Sequence, residues 1–131
     1  MTIRGGCHCG HIKYECIVKP DPESGDLKVF RCNCTYCQKL STTNLHLDGP
    51  EDFKLLSPAS KEEVADYPSK MKSVNRYFCA TCGVHVWMQG SFEFQGKTAH
   101  LFVVNLSTAE QPQEGLELTG SKDEPWPGGL V

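Results

Sequence analysis

Cys7-His8-Cys9-Gly10 and, about seventy residues further on, Cys79-Ala80-Thr81-Cys82-Gly83 decide how this chain folds. Each is a tight pair of cysteines followed at once by glycine. In a knuckle wrapped round a metal ion, backbone N–H groups fold back towards the thiolate sulfurs. A glycine after the last cysteine supplies the positive φ that such a turn demands. The two glycine-ended knuckles therefore read as halves of one four-thiolate site, Cys7, Cys9, Cys79 and Cys82, closed in the manner of structural zinc. A metal closing a loop of that length is a strong staple in chain-entropy terms.

A third cluster, Cys32-Asn33-Cys34-Thr35-Tyr36-Cys37-Gln38, has no such glycine. It leaves Cys32, Cys34 and Cys37 as a three-thiolate set with one coordination position open to water or substrate. A zinc ribbon of Cys34, Cys37, Cys79 and Cys82 is the competing assignment, and it strands Cys7, Cys9 and Cys32 without a role. A protein ligand such as His46 or His85 would instead close the three-thiolate set. The isolated Cys16 reads as a small buried hydrophobe on a strand. His8 and His11 read as surface residues, and His100 has no context. Arg31, Lys39 and Arg76 flank the clusters, as groups for a substrate carboxylate or as solvated charges.

The preference for metal over disulfides rests on the expected compartment. The 131 residues suit a single domain, 1–131, with a core over about 3–107 and an irregular tail over 110–131. The chain is 39% hydrophobic and 22% charged, a globular balance, and small enough to profit from staples. Met1-Thr2-Ile3-Arg4-Gly5-Gly6 has no apolar signal core, and no run approaches the ~18 apolar residues of a membrane span. A soluble, cytoplasmic protein is expected, where disulfides are scarce and clustered thiols hold metal. The net charge of −3 and the lack of a basic block argue against nucleic acid as partner.

Period-2 alternation and turn residues predict a mainly β chain. Residues 12–18 alternate as a half-buried strand, 20–26 form a loop, and 27–31 run as a strand into the second cluster. A helical turn is expected over 36–41, short strands over 45–47 and 53–56, and strand or helix over 61–67. Residues 73–78 and 84–87 read as two strands joined by the third knuckle, and 101–106 as the last clear strand. Residues 124–129, Pro- and Gly-rich, read as an irregular tail.

Three thiolates on Zn²⁺ leave a formal charge of −1, which makes a weaker Lewis acid than zinc on neutral imidazoles. Activation of an incoming thiol suits such a site better than activation of water, because zinc lowers the thiol's pKa.

Gly6-Cys7-His8-Cys9-Gly10, Cys32-Asn33-Cys34-Thr35-Tyr36-Cys37-Gln38-Lys39 and Arg76-Tyr77-Phe78-Cys79-Ala80-Thr81-Cys82-Gly83, in that order, resemble the glutathione-dependent formaldehyde-activating enzyme family, also called the centromere-protein-V-type domain. The resemblance covers about residues 3–107. It implies a zinc-containing β-tent fold of short antiparallel sheets and two zinc ions per chain. Cys7, Cys9, Cys79 and Cys82 match the family's structural ligands, and Cys32, Cys34 and Cys37 its catalytic ones. The implied activity is that of a carbon–sulfur lyase joining glutathione to formaldehyde, with glutathione or a glutathione adduct as partner. Where the family often has a small Ser-Gly pair after the second cluster, this chain has Leu40-Ser41-Thr42-Thr43-Asn44, expected beside the open position. Other readings are different zinc chemistry on a small carbonyl or carboxylate metabolite, or a non-catalytic zinc-stabilised binding module; the acidic balance disfavours the latter on chromatin.

Overall fold

The computed structural model describes residues 1–70, 73–111, 113, 114 and 116. In chain order the strands are β1 (Thr2–Gly6), β2 (Lys13–Ile17), β3 (Val29–Phe30), β4 (Asn44–His46), β5 (Phe53–Ser57), β6 (Ala65–Asp66), β7 (Val74–Phe78), β8 (His85–Phe94) and β9 (Lys97–Asn105). Among the described residues one short helix, α1 (Thr35–Leu40), follows β3, and 3-10 turns occupy Pro50–Asp52, Lys61–Glu63 and Leu106–Thr108. The described chain is mainly β with little helix, as its alternation predicts.

All strand pairs among the described residues are antiparallel. A three-stranded sheet runs β1-β2-β5, and a six-stranded sheet runs β3-β4-β9-β8-β7-β6. In β2, Tyr14 and Cys16 are buried while Lys13 and Ile17 are exposed, so one face of the small sheet turns inward. Phe53 of β5 joins the two sheets. Its ring lies 5.4 Å from Tyr14 in its own sheet and 4.9 and 5.2 Å from Trp87 and Phe102 in the other. Tyr77 stacks on Trp87 at 4.4 Å. Each such ring pair contributes on the order of 1 kcal/mol beyond the area it buries. Cys7, Cys16 and Cys79 belong to this same core, with Cys16 in the apolar role its strand predicts.

A second, smaller core of Cys37, Met88 and Val103 lies beneath the second cysteine cluster, with Val74, Tyr36 and Leu101 packed on it. It positions the candidate site against the β7–β8–β9 face.

The extent of several elements departs from the sequence reading. The strand expected over 84–87 runs on to Phe94 and pairs with β9 through a two-residue turn at Gln95-Gly96, so β8 and β9 form one long hairpin. The ambiguous stretch 61–67 divides into a 3-10 turn with a Ser60 capping box and the short β6. Only Val29 and Phe30 pair within 27–31. The start of the expected tail returns to β1: the Glu110 N–H donates to the Arg4 carbonyl at 2.8 Å, and Leu116 is buried in the main core. The stretch 124–129 lies outside the described residues.

Candidate metal centres

The two glycine-ended knuckles have the same backbone closure. The Cys7 N–H donates to the Ile12 carbonyl at 3.0 Å, and the Cys79 N–H donates to the Val84 carbonyl at 2.9 Å. Gly10 has φ +86° and Gly83 φ +79°, the left-handed conformation that the sequence argument requires of them. The turns aim N–H groups at sulfur. Ile12 N–H donates to Cys7 Sγ at 3.2 Å, and Cys82 N–H to Cys79 Sγ at 3.5 Å.

These knuckles bring Cys7, Cys9, Cys79 and Cys82 together, with all four Sγ atoms within 4.8 Å of one another. Cys9 Sγ lies 3.7 Å from Cys7 Sγ and 3.5 Å from Cys79 Sγ. Four sulfurs each ~2.3 Å from a zinc ion form a tetrahedron with edges of about 3.8 Å. The set thus fits a metal of that size with little adjustment. All eight cysteines are unpaired as disulfides.

The proton affinities of its sulfurs are uneven. Burial pushes the Cys82 thiol up, but the backbone N–H groups of Cys9 and Val84 and the neighbouring Cys79 outweigh it and bring it down to about 6. The Cys9 thiol feels the His11 N–H, which favours its thiolate, yet Cys79, burial, Cys7 and Cys82 together raise it to about 11. Crowded sulfurs of this kind compete for charge, and a divalent cation relieves the competition by taking every ligand as thiolate.

Cys32, Cys34 and Cys37 form the second group, their three Sγ atoms likewise within 4.8 Å of one another. Cys34 is the N-cap of α1, its sulfur accepting from the Cys37 N–H at 3.3 Å, while the Cys34 N–H donates to Cys32 Sγ at 3.4 Å. This explains the missing glycine: the chain leaves the cluster as a helix, so no left-handed residue is needed after Cys37. The helix ends instead at Ser41, with φ 57°. Burial raises the Cys37 thiol to about 12, helped by Cys34. In Cys34 the Cys37 N–H and the adjoining thiols overcome burial and lower it.

Among the described residues no histidine, aspartate or glutamate joins this set. His85 is 5% exposed, shares a hydrogen bond of 3.3 Å between its Nδ1 and the Tyr36 hydroxyl, and is held neutral, burial and then Arg76 lowering its pKa to about 4. His46 lines a different cavity. The ribbon pairing is not what the fold brings together either, since Cys34 and Cys37 group with Cys32 and not with Cys79 and Cys82.

Ser41, Thr42 and Asn44 lie beside the three-cysteine group. Asn44, 1% exposed, donates through Nδ2 to Cys37 Sγ at 3.8 Å, and its buried Oδ1 has no hydrogen-bond partner. Thr42 Oγ1 is buried and unpartnered as well. Arg31 donates to the Ser41 carbonyl and hydroxyl beside the cluster. Arg76 is committed elsewhere: its guanidinium lies 4.2 Å over Tyr36 and 4.6 Å over Tyr67 and donates to the Tyr67 and Pro68 carbonyls. Lys39 falls in the last turn of α1, exposed.

Two cavities adjoin the cluster and share Cys32 and Cys37. One, of about 320 Å³, is lined by Cys32, Cys37 and the polar Arg31, Asn33, Gln38, Ser41 and Thr42. The other, of about 300 Å³, is lined by all three cysteines, Tyr36, Asn44 and a largely apolar wall from β3, β7, β8 and β9. The sequence pointed to the cysteines and to segment 40–44; it did not point to that wall, because Met88 and Phe92 lie on a strand whose extent it underestimates.

No helix among the described residues is long and apolar enough to cross a membrane. A crystal structure of a Rhodobacter sphaeroides protein has the same fold, with a TM-score of 0.58 at 22% identity over 89% of this chain and 91% of that one. A Halomonas elongata protein, provisionally named a glutathione-dependent formaldehyde-activating enzyme, is 26% identical over 93 residues, 67% of this chain. The match spans 56% of that relative's length. The family model described as glutathione-dependent formaldehyde-activating enzyme matches residues 2–119, a span that takes in all three cysteine clusters. By that match the chain belongs to the glutathione-dependent formaldehyde-activating enzyme family.

Proposed function

We propose that this protein is an enzyme that makes or breaks a carbon–sulfur bond between glutathione and a carbonyl carbon, at a zinc ion held by Cys32, Cys34 and Cys37. A second zinc, held by Cys7, Cys9, Cys79 and Cys82, is structural, which gives two zinc ions per chain and a zinc-containing β-tent. The observation that carries the reading is the unequal donor count: four sulfurs converge in one group and three in the other, and the three border on cavities large enough for substrate. Thiolate ligation on both sets is suited to the reducing cytoplasm.

Zinc on three thiolates would supply a fourth position for a thiol sulfur and lower that thiol's pKa towards neutrality. The chain's residues do the rest. Backbone N–H groups of Cys34 and Cys37 steady the cysteine sulfurs, and Asn44 Nδ2 fixes Cys37. The polar cleft beside them offers amide and hydroxyl groups, and the N–H groups of Arg31 not held by Ser41, to a peptide's carboxylate and amides. In the forward direction the thiol loses its proton and its sulfur bonds to the carbonyl carbon. The C=O π pair moves to oxygen, which takes up a proton and becomes a hydroxyl. Tyr36 is one group able to deliver that proton: it lines the cavity, and its hydroxyl is held protonated, burial raising its pKa against the pull of Arg76.

The test is the rate of S-hydroxymethylglutathione formation from glutathione and formaldehyde, followed by NMR above the uncatalysed background. Wild type should accelerate it and Cys34→Ser should not. An equal rate in the two proteins would remove the three-cysteine site from the chemistry.

A further inference from the structure

A polar cleft and an apolar cavity share Cys32 and Cys37, and that division describes the two halves of a substrate. The polar side carries Arg31, Asn33, Gln38, Ser41 and Thr42. The opposite side is walled by Phe30, Val74, Met88, Phe92, Leu101 and Val103. Its one charged lining residue, Arg76, spends donors on the Tyr67 and Pro68 carbonyls and lies over two tyrosine rings, so it does not ask for a carboxylate there. At the rim Phe30 and Phe92 are 39% and 42% exposed, apolar surface that an occupant would cover.

The size of this cavity is informative. A one-carbon carbonyl fills no more space than about two waters, roughly 60 Å³. The cavity is about 300 Å³. An apolar cavity of about 150 Å³ suffices for a benzene ring. The metal and the thiol sulfur take up the end of this space beside the cysteines, and formaldehyde would leave the rest of it, with the exposed rings of Phe30 and Phe92, uncovered.

We propose that the carbon joined to the thiol sulfur at this site bears an apolar substituent of about six carbons, seated in the cavity between Cys32, Cys34 and Cys37 and the β7–β8–β9 face. The substrate class is then the adduct of glutathione with a medium-chain alkyl or aryl aldehyde. The proposal rests on the reading of the three-cysteine set as a thiol site. Atoms balance as they do for formaldehyde: thiol plus aldehyde gives a hemithioacetal with one new C–S bond, and the aldehyde oxygen ends as its hydroxyl.

Isothermal titration of the zinc-loaded protein with glutathione, S-methylglutathione and S-hexylglutathione tests this without turnover. A fully buried methylene strengthens binding about fourfold, the equivalent of about 0.8 kcal/mol. If half of that is realised over five added methylenes, the hexyl thioether binds on the order of 30-fold more tightly than the methyl one. Val74→Phe, which fills the cavity, should shrink that ratio tenfold or more; the wild-type series stands if the variant does not fold. Equal affinity for the two thioethers would overturn the apolar substituent while leaving the thiol site intact. Failure of glutathione and both thioethers to bind would overturn the thiol reading itself. Hexanol binding alongside glutathione without competition or enhancement would also overturn the proposal, by showing a cavity unrelated to the sulfur.

Discussion

Replacing Cys79 by serine should cost far more stability than replacing Cys34, although both changes remove one sulfur from a cluster. Cys79 is fully buried, and through its group it fixes a point 70 residues from Cys9. By the chain-entropy rule for cross-links, closing a loop of that length contributes about 4 kcal/mol at 25 °C. That is a large share of the 5–15 kcal/mol typical of a whole domain. Cys34 belongs to a group confined to residues 32–37, for which the same rule gives about 2 kcal/mol. A serine at position 34 also retains an N-cap oxygen for the Cys37 N–H, a role in which serine is a preferred residue. At about 3–5 °C per kcal/mol for a domain of this size, Cys79→Ser should lower the melting midpoint by roughly 12–20 °C, and Cys34→Ser by less than half of that. Circular dichroism melts of the two variants, with zinc measured by mass spectrometry on the same samples, give the comparison. Equal shifts, or a Cys79→Ser protein melting with the wild type, would refute the division into a structural and an open site.

Two further outcomes follow from the backbone and the buried charge. Gly83→Ala adds a Cβ that meets nothing within 4 Å, so its cost is that of holding φ +79° alone, about 1–2 kcal/mol by denaturant unfolding; a neutral change would mean the knuckle does not need that conformation. His85 has its pKa depressed by burial and then by Arg76 to about 4, with the Tyr36 hydroxyl as hydrogen-bond partner. A depressed histidine pKa means that the unfolded chain gains a proton first as pH falls, so stability is lost from about pH 6.5 down to about 4. Between pH 7.5 and 5 this loss should reach about 2 kcal/mol. Because acid also releases metal from thiolates, the quantity to measure is the difference between wild type and His85→Asn; parallel pH curves would show that His85 is not buried neutral.

The sequence was most informative where a residue type answers a strict geometric demand. Gly10 and Gly83 take the left-handed conformation that their positions beside Cys9 and Cys82 imply, and the four sulfurs they serve come together. The three-sulfur set was legible by subtraction, and its helix could be anticipated, though not that Cys34 would cap it through sulfur. The long β8–β9 hairpin was harder to see. Past Met88 the strand becomes half-exposed and then exposed, which blurs the alternation, and its turn uses Gln95-Gly96 in place of the more recognisable Asn-Gly. That miss hid the cavity wall, because Met88 and Leu101 are brought beside Cys37 by cross-strand pairing, which no local pattern encodes. The return of Ala109, Glu110 and Gln113 to β1 was hidden for a similar reason. It depends on Glu110 meeting Arg4 across the fold.

The most direct test of the central claim is to replace zinc with cobalt(II) and follow the visible absorption while glutathione is added. With a closed four-sulfur site and an open three-sulfur site, two metal ions should bind per chain. One equivalent of glutathione should then shift the spectrum of only one of them towards four-thiolate coordination, and Cys34→Ser should lose that response. A protein that holds two cobalt ions with no spectral change on adding glutathione, or that holds a single ion, would contradict an open thiol-binding metal site at Cys32, Cys34 and Cys37.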